Sequence, residues 1–110
     1  EEGEWVWYHG NGQVEAKGNN KNGREEGEWV FYHDNGQLKM KRSYKWHLPY
    51  IKENHTPDEI ETVEYYDNGQ LQQKGIYKHG KEEGKWIFYR KDGTVDPSTG
   101  TWKDGVRVSD

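Results

Sequence analysis

Short runs of aromatic and β-branched residues recur along the chain, and each run ends at a glycine-containing turn. Gly3-Glu4-Trp5-Val6-Trp7-Tyr8-His9-Gly10-Asn11-Gly12-Gln13-Val14 returns 24 residues later as Gly27-Glu28-Trp29-Val30-Phe31-Tyr32-His33-Asp34-Asn35-Gly36-Gln37-Leu38. Runs of this kind bounded by Asn-Gly, Asp-Gly and His-Gly predict antiparallel strands joined by tight turns. A fixed period of this size marks a stacked repeat architecture. A repeated residue is then explained first by the needs of the repeat and only afterwards by chemistry.

Aligned on these turns, residues 1–110 form one repeat domain of four units, about 1–24, 25–48, 58–81 and 82–108. Unit three resumes with Val63-Glu64-Tyr65-Tyr66-Asp67-Asn68-Gly69-Gln70-Leu71, an offset of 33 from unit two, so nine residues have been added; the insertion covers about 46–57. Unit four returns to the offset of 24 and carries one extra residue in Asp96-Pro97-Ser98-Thr99-Gly100. Each unit reads as strand, turn, strand, turn. The expected fold is all-β: an elongated antiparallel meander of about eight strands.

The turn length sets which side chains share a face. A two-residue Asn11-Gly12 turn would put Trp5 and Trp7 with Val14 and Ala16; a three-residue loop with Gly12 left-handed would put Val6 and Tyr8 there. Val6/Tyr8, Val30/Tyr32, Val63/Tyr65 and Ile87/Tyr89 are apolar in every unit, whereas the Trp row meets Thr62 and Glu64 in unit three. This favours the three-residue loop. Val/Ile, Tyr, Val14, Leu38, Leu71 and Val95 would then line the inner face, extended by Tyr44, Tyr77 and Trp102. Trp5, Trp7, Trp29, Phe31, Trp86 and Phe88 would form an outer row opposite Glu15, Lys17, Lys39, Lys41 and Lys74.

Composition changes this picture in two ways. Only 29% of residues are hydrophobic and 33% are charged, which excludes a thick core, yet six Trp, eight Tyr and two Phe at mostly repeated positions give a thin sheet enough buried area. The net charge of −4 disfavours nucleic acid and favours a basic partner. Without cysteine there are no disulfides or thiolate metal sites, and no apolar run is long enough to span a membrane. The chain starts at Glu1 inside a repeat, so an upstream targeting segment remains open; a cytoplasmic location is favoured.

Gly-x-Trp-x-x-Tyr, then Asn-Gly-Gln-Leu, then Lys-x-Gly-x-Tyr-x-x-Gly-Lys resembles the bacterial variant of the MORN repeat. Gly69-Gln70-Leu71-Gln72-Gln73-Lys74-Gly75-Ile76-Tyr77-Lys78-His79-Gly80-Lys81 matches it best, and unit three departs from it, with Ile60 and Thr62 in place of Gly and Trp. The resemblance covers nearly the whole chain apart from roughly 46–57. It implies a repeat-built binding sheet without catalytic motif. Bacterial proteins of this type are often described as antitoxin or immunity components, and eukaryotic relatives as scaffolding and membrane-attachment modules.

Three surfaces are candidates for binding. Glu1-Glu2, Glu25-Glu26, Asp58-Glu59 and Glu82-Glu83 repeat at one position, an acidic ladder with steps of about 10 Å that would steer a basic partner. The aromatic row offers hot-spot residues. The insertion, with Trp46, Leu48, Tyr50 and Ile51, breaks the period, and two compatible readings follow: a loop that recognises a partner, or a plug folded over the gap left by Thr62 and Glu64. Catalysis finds no constellation: His9 and His33 are replaced by Tyr66 and Arg90 in later units, and His47 and His55 around Glu53 match no metal-ligand spacing. No enzyme activity, cofactor, nucleic acid or membrane contact is expected. The reading is an antitoxin or immunity protein that occludes a basic protein toxin, with Trp46, Tyr50, Glu25, Glu26, Asp58 and Glu59 at the contact. The alternative is a scaffolding module, and open sheet edges permit self-association.

Overall fold

The computed structural model describes residues 3–21, 23–46 and 57–110. Nine strands follow one another in chain order: β1 (Gly3–Tyr8), β2 (Val14–Lys21), β3 (Arg24–Tyr32), β4 (Leu38–Lys45), β5 (Glu59–Tyr65), β6 (Leu71–Lys78), β7 (Lys81–Phe88), β8 (Gly100–Lys103) and β9 (Val106–Ser109). Each pairs antiparallel with the next, giving a single open sheet in the order β1 to β9. The ninth strand follows a last turn at Asp104-Gly105 and exceeds two strands per unit. The molecule measures 40 × 38 × 14 Å. A second sheet would pack about 10 Å away and thicken it well beyond this, so the sheet is one layer.

The three-residue loops are as expected. His9 N–H donates to the Gln13 carbonyl at 2.7 Å, Gly12 N–H to the His9 carbonyl at 3.0 Å, and Gly12 has φ +88°. The same pair of bonds closes the loops at Gly36 and Gly69. Each loop also binds the next. Asn11 Nδ2 donates to the Asp34 carbonyl, Asn35 to that of Asp67 and Asn68 to that of Lys91, while each Asn Oδ1 accepts the backbone N–H two residues on. His9 and His33 bond the Tyr32 and Tyr65 carbonyls through Nε2, and the Tyr66 hydroxyl donates to the Tyr89 carbonyl. Histidine and tyrosine interchange here because either reaches the neighbouring strand's backbone. The repeated polar residues thus join units where apolar burial is thin.

The face assignment, in contrast, is reversed. Tyr8 stands opposite Val14 as the loop requires, but the register then shifts, and Trp7 stands opposite Ala16. Glu15 is the extra residue of a bulge. The same shift separates Phe31 from Tyr32 and Glu64 from Tyr65, with Lys39 and Gln72 unpaired. One unpaired residue moves every side chain beyond it to the other face. Trp5, Trp7, Trp29, Phe31, Trp86 and Phe88 therefore share a face with Ala16, Gly18, Met40, Arg42, Tyr44, Tyr77 and Trp102. Val6, Lys17, Val30, Lys41, Val63, Lys74 and Ile87 form one continuous row on the opposite face. The lysines face the aliphatic row, not the aromatic one. The core sits under the rings: Trp29 is 5% and Trp86 1% exposed, against 39% for Val6.

Candidate functional site

The aromatic face is built from one repeated device. A Cβ placed on Gly18 would lie 2.1 Å from the Trp29 ring, and one on Gly75 would lie 2.1 Å from the Trp86 ring. Each indole lies flat across the strand before its own and donates Nε1–H to the carbonyl that follows the glycine, Asn19 at 2.9 Å and Ile76 at 3.1 Å. Gly27 and Gly84, with φ of +66° and +80°, lie in the register shifts that aim these rings backwards. Each Trp stacks on the aromatic ring two residues on: Trp5 on Trp7, Trp29 on Phe31 and Trp86 on Phe88, with centroids 5.6–6.3 Å apart. Tyr77 meets the Trp86 edge at 4.8 Å. A glycine inside a strand marks a close approach, so Gly18 and Gly75 were the sequence signal for the true core face.

The β4–β5 seam replaces the whole device. Ile60 stands where Gly27 and Gly84 do, Thr62 where the Trp rings do, and Arg42 where Gly18 and Gly75 do. This pair of strands runs without a register shift. Thr62 is fully buried and donates its hydroxyl to Glu64 Oε2 at 3.0 Å. Arg42 Nε donates to Thr62 Oγ1 at 3.2 Å, its Nη2 lies 3.5 Å from Glu64 Oε2, and Gln73 Nε2 donates to the same oxygen at 3.0 Å. The polar residues that counted against an aromatic core face satisfy one another. A polar cluster built around a buried hydroxyl is tolerable only when its members are paired. Burial raises the Tyr44 phenol above its ordinary value, with Arg42 opposing. Burial and then the Glu64 carboxylate raise that of Tyr77.

The two faces differ in where lysine stands. Among the paired residues of the aromatic face there is no lysine, and Arg42 is a centrally placed cation. The opposite face carries Lys17, Lys41, Lys45, Lys74, Lys78 and Lys85. Aromatic residues, Met and Arg are enriched and Lys is depleted at protein interfaces. The aromatic face has that composition.

The acidic ladder is more mixed than its sequence suggests. Glu25 and Glu26 are neighbours on β3, opposite Asn20 and Asn19, and so point to different faces. Glu59 lies between Lys45 and Lys78 as their strand partner, and Asp58 precedes β5. Trp46 donates Nε1–H to the Glu25 carbonyl, and the Arg24 guanidinium sits 3.8 Å from its ring centroid. Trp46, Glu25 and Glu26 thus come together at one end of β3. Tyr50 lies outside the described residues, as do Glu1 and Glu2. Among the described residues no three His, Asp or Glu side chains are grouped so as to hold a metal ion.

The loop carboxylates give a pH prediction. A hydrogen bond from Lys91 holds Asp67 below its ordinary value; the Thr94 hydroxyl and amide do so for Asp92, and the Ser98 amide for Asp96. Lowered values mean that the folded state binds these protons less readily than the unfolded one. Their stabilisation is present above the ordinary carboxylate range and is lost as pH falls through the folded values. Protection of the Thr94 and Ser98 amides, measured against the intrinsic exchange rate at each pH, is expected to fall once the pH drops below about 4. Protection that stays constant through that range would refute the prediction.

Residues 1–22, 25–45 and 58–79, together more than half of the chain, each match the family model described as the MORN repeat variant. No curated protein and no solved structure matches the chain.

Proposed function

Given that the chain belongs to the MORN repeat variant family, whose repeats are found in protein-interaction modules, we propose that it is a protein-binding module that docks its partner on the aromatic face. In its finer form the reading is an antitoxin or immunity protein that neutralises a toxin by stoichiometric occlusion. The observation that carries it is the placement of lysine: among the described residues the aromatic face pairs none, while the opposite face carries six, interspersed with Glu26, Glu28, Glu59, Glu61 and Glu83. A sheet kept soluble on one side and left aromatic on the other is arranged for contact. The acidic residues Glu25, Glu26, Asp58 and Glu59 sit at the end of the strands where Trp46 crosses to β3. There they would speed encounter with a basic partner and add little to affinity once bound.

The test is affinity capture from the native cell with three baits: the parent chain, Trp7→Ser/Met40→Ser, and Glu25/Glu26/Asp58/Glu59→Lys. The captured protein is then purified and titrated against the chain. The expected result is a one-to-one complex that the first variant weakens at least tenfold and the second slows in forming. For the antitoxin reading, the captured protein must arrest growth when expressed alone and cease to do so with the chain. A partner that both variants bind as the parent does would remove the aromatic face from the proposal. Capture of large structural proteins alone would favour scaffolding.

A further inference from the structure

The lysines do not cover the whole of the face opposite the Trp rings. Toward the Asn-Gly loops that face ends in a row of tyrosines. Tyr8 pairs with Val14, Tyr32 with Leu38, Tyr65 with Leu71 and Tyr89 with Val95. Each tyrosine stands two residues beyond the aliphatic residue of its own strand and so shares that residue's face. Tyrosine holds this position in all four units, including unit three, where the Trp ring is lost. A one-layer sheet leaves the row open among the described residues: Tyr8 is 62% exposed, and Tyr32, Tyr65 and Tyr89 are half-buried. None of the four hydroxyls has a hydrogen-bond partner among the described residues, unlike that of Tyr66. An open groove beside Tyr32 is lined by Val14, Lys17 and the loop glycines Gly12 and Gly36.

We propose that this tyrosine row binds a proline-rich segment of a partner protein, laid across the strands in polyproline II conformation. The spacing selects the occupant. Successive tyrosines stand two strands apart, about 9.6 Å, and this holds across the insertion because β5 pairs directly with β4. A polyproline II segment returns to the same side every three residues, about 9.3 Å. Over the three intervals it drifts by about 1 Å, against about 4 Å for an α-helix taken two turns at a time. Such a segment has no internal hydrogen bonds, so its carbonyls can accept from the unpartnered tyrosine hydroxyls. Rows of aromatic rings are the usual seat for prolines at every third residue. Lys17, Lys41 and Lys74 recur at the same interval on the neighbouring row of this face. Of these only Lys41 has a carboxylate within ion-pair distance, Glu28 at 3.8 Å. The charge complement is therefore an acidic residue between the prolines. This inference is independent of what occupies the aromatic face.

The probe is a capped peptide of four Pro-Pro-Glu triplets, about 37 Å long in this conformation, with a peptide of Gly-Ser-Glu triplets as its equal in length and charge. Each is titrated into the full chain up to about 1 mM, where even a weak complex is populated. NMR follows the tyrosine rings together with the Trp29 and Trp86 indole N–H groups. The proline peptide is expected to shift the Tyr32 and Tyr65 rings saturably and leave both indoles in place. It is expected to bind at least tenfold more tightly than the glycine-serine peptide. Tyr32→Phe/Tyr65→Phe keeps the rings and removes two hydroxyls; followed through the Leu38 and Leu71 methyls, it is expected to bind the proline peptide about tenfold more weakly. No shift, equal affinity of the two peptides, tighter binding of a helical peptide of the same charge, or a shift confined to the indoles would overturn the inference. So would tyrosine shifts that grow with protein concentration alone, because the occupant of the row would then be a second copy of the chain.

Discussion

Valine in place of Gly75 is expected to cost about 3 kcal/mol or more, at the upper end of what forcing atoms into a packed core costs. Strand propensity alone predicts the opposite sign, because valine fits a pleated strand better than glycine by up to about 1 kcal/mol. The decision rests on the Trp86 ring, 2.1 Å from where the new Cβ would lie and 1% exposed. The ring has no room to retreat: Phe88 stacks on one side at 5.6 Å and Tyr77 closes another at 4.8 Å. Trp86→Ala should itself cost about 3–5 kcal/mol, the range for emptying a large buried aromatic site. Against the roughly 5–15 kcal/mol that holds a domain together, either change is severe. In the Trp86→Ala background, Gly75→Val should become nearly neutral or favourable. Urea melts of the two single variants and the double variant measure this coupling. Additive effects would mean that the ring does not occupy the glycine's space.

The second large effect concerns the β4–β5 seam. Thr62→Trp alone is expected to lose about 3 kcal/mol. It drives an indole onto Arg42, removes a fully buried hydroxyl, and deprives Glu64 of one of its partners. The same substitution made together with Arg42→Gly, Ile60→Gly and Glu64→Phe should fold cooperatively and melt no lower than the parent. Those four residues turn the seam into a copy of its neighbours, with a left-handed glycine, a ring, a stacking partner and an empty seat. Replacing a buried ion pair by packed apolar groups is often neutral or stabilising, whereas breaking one member is costly, and the partly buried Arg42–Glu64 pair should follow the same sign. The measurement is thermal unfolding of the single and fourfold variants. A harmless single Thr62→Trp, or a fourfold variant that fails to fold, would show that the seam is not an exchanged version of the regular device. A fourfold variant more stable than the parent would mean that the polar cluster is kept at the centre of the aromatic face for recognition.

How far the chain could be read in advance differs from element to element. The positions of the turns were legible, because Asn-Gly recurs at a fixed offset; the three-residue loop that Gly12, Gly36 and Gly69 adopt was favoured over a two-residue turn on a face assignment that the bulges reverse. Strand count came close: two per unit, with β9 added after the last turn. The aromatic face was missed although its signal was present. Gly18 and Gly75 stand mid-strand, where a turn cannot explain them, and Arg42 departs from glycine in the seam where Thr62 departs from tryptophan. The candidate contact residues among those described lie at one end of the strands: Trp46 crosses to Glu25 on β3, Glu26 follows it, and Glu59 opens β5 between Lys45 and Lys78, just after Asp58.

By itself the sequence determined that this chain is a repeat of antiparallel hairpins, because turn chemistry and period are local and survive in any context. It also determined that unit three is irregular. Only the tertiary structure decided which face is buried. That choice depends on the single unpaired residues Glu15, Lys39 and Gln72, and an unpaired residue exists only relative to the strand beside it. Likewise only pairing between neighbouring units joins Arg42, Thr62, Glu64 and Gln73, from three different strands, into one satisfied cluster. Residue types that look unfit for a core become acceptable there because each finds its partner across the sheet.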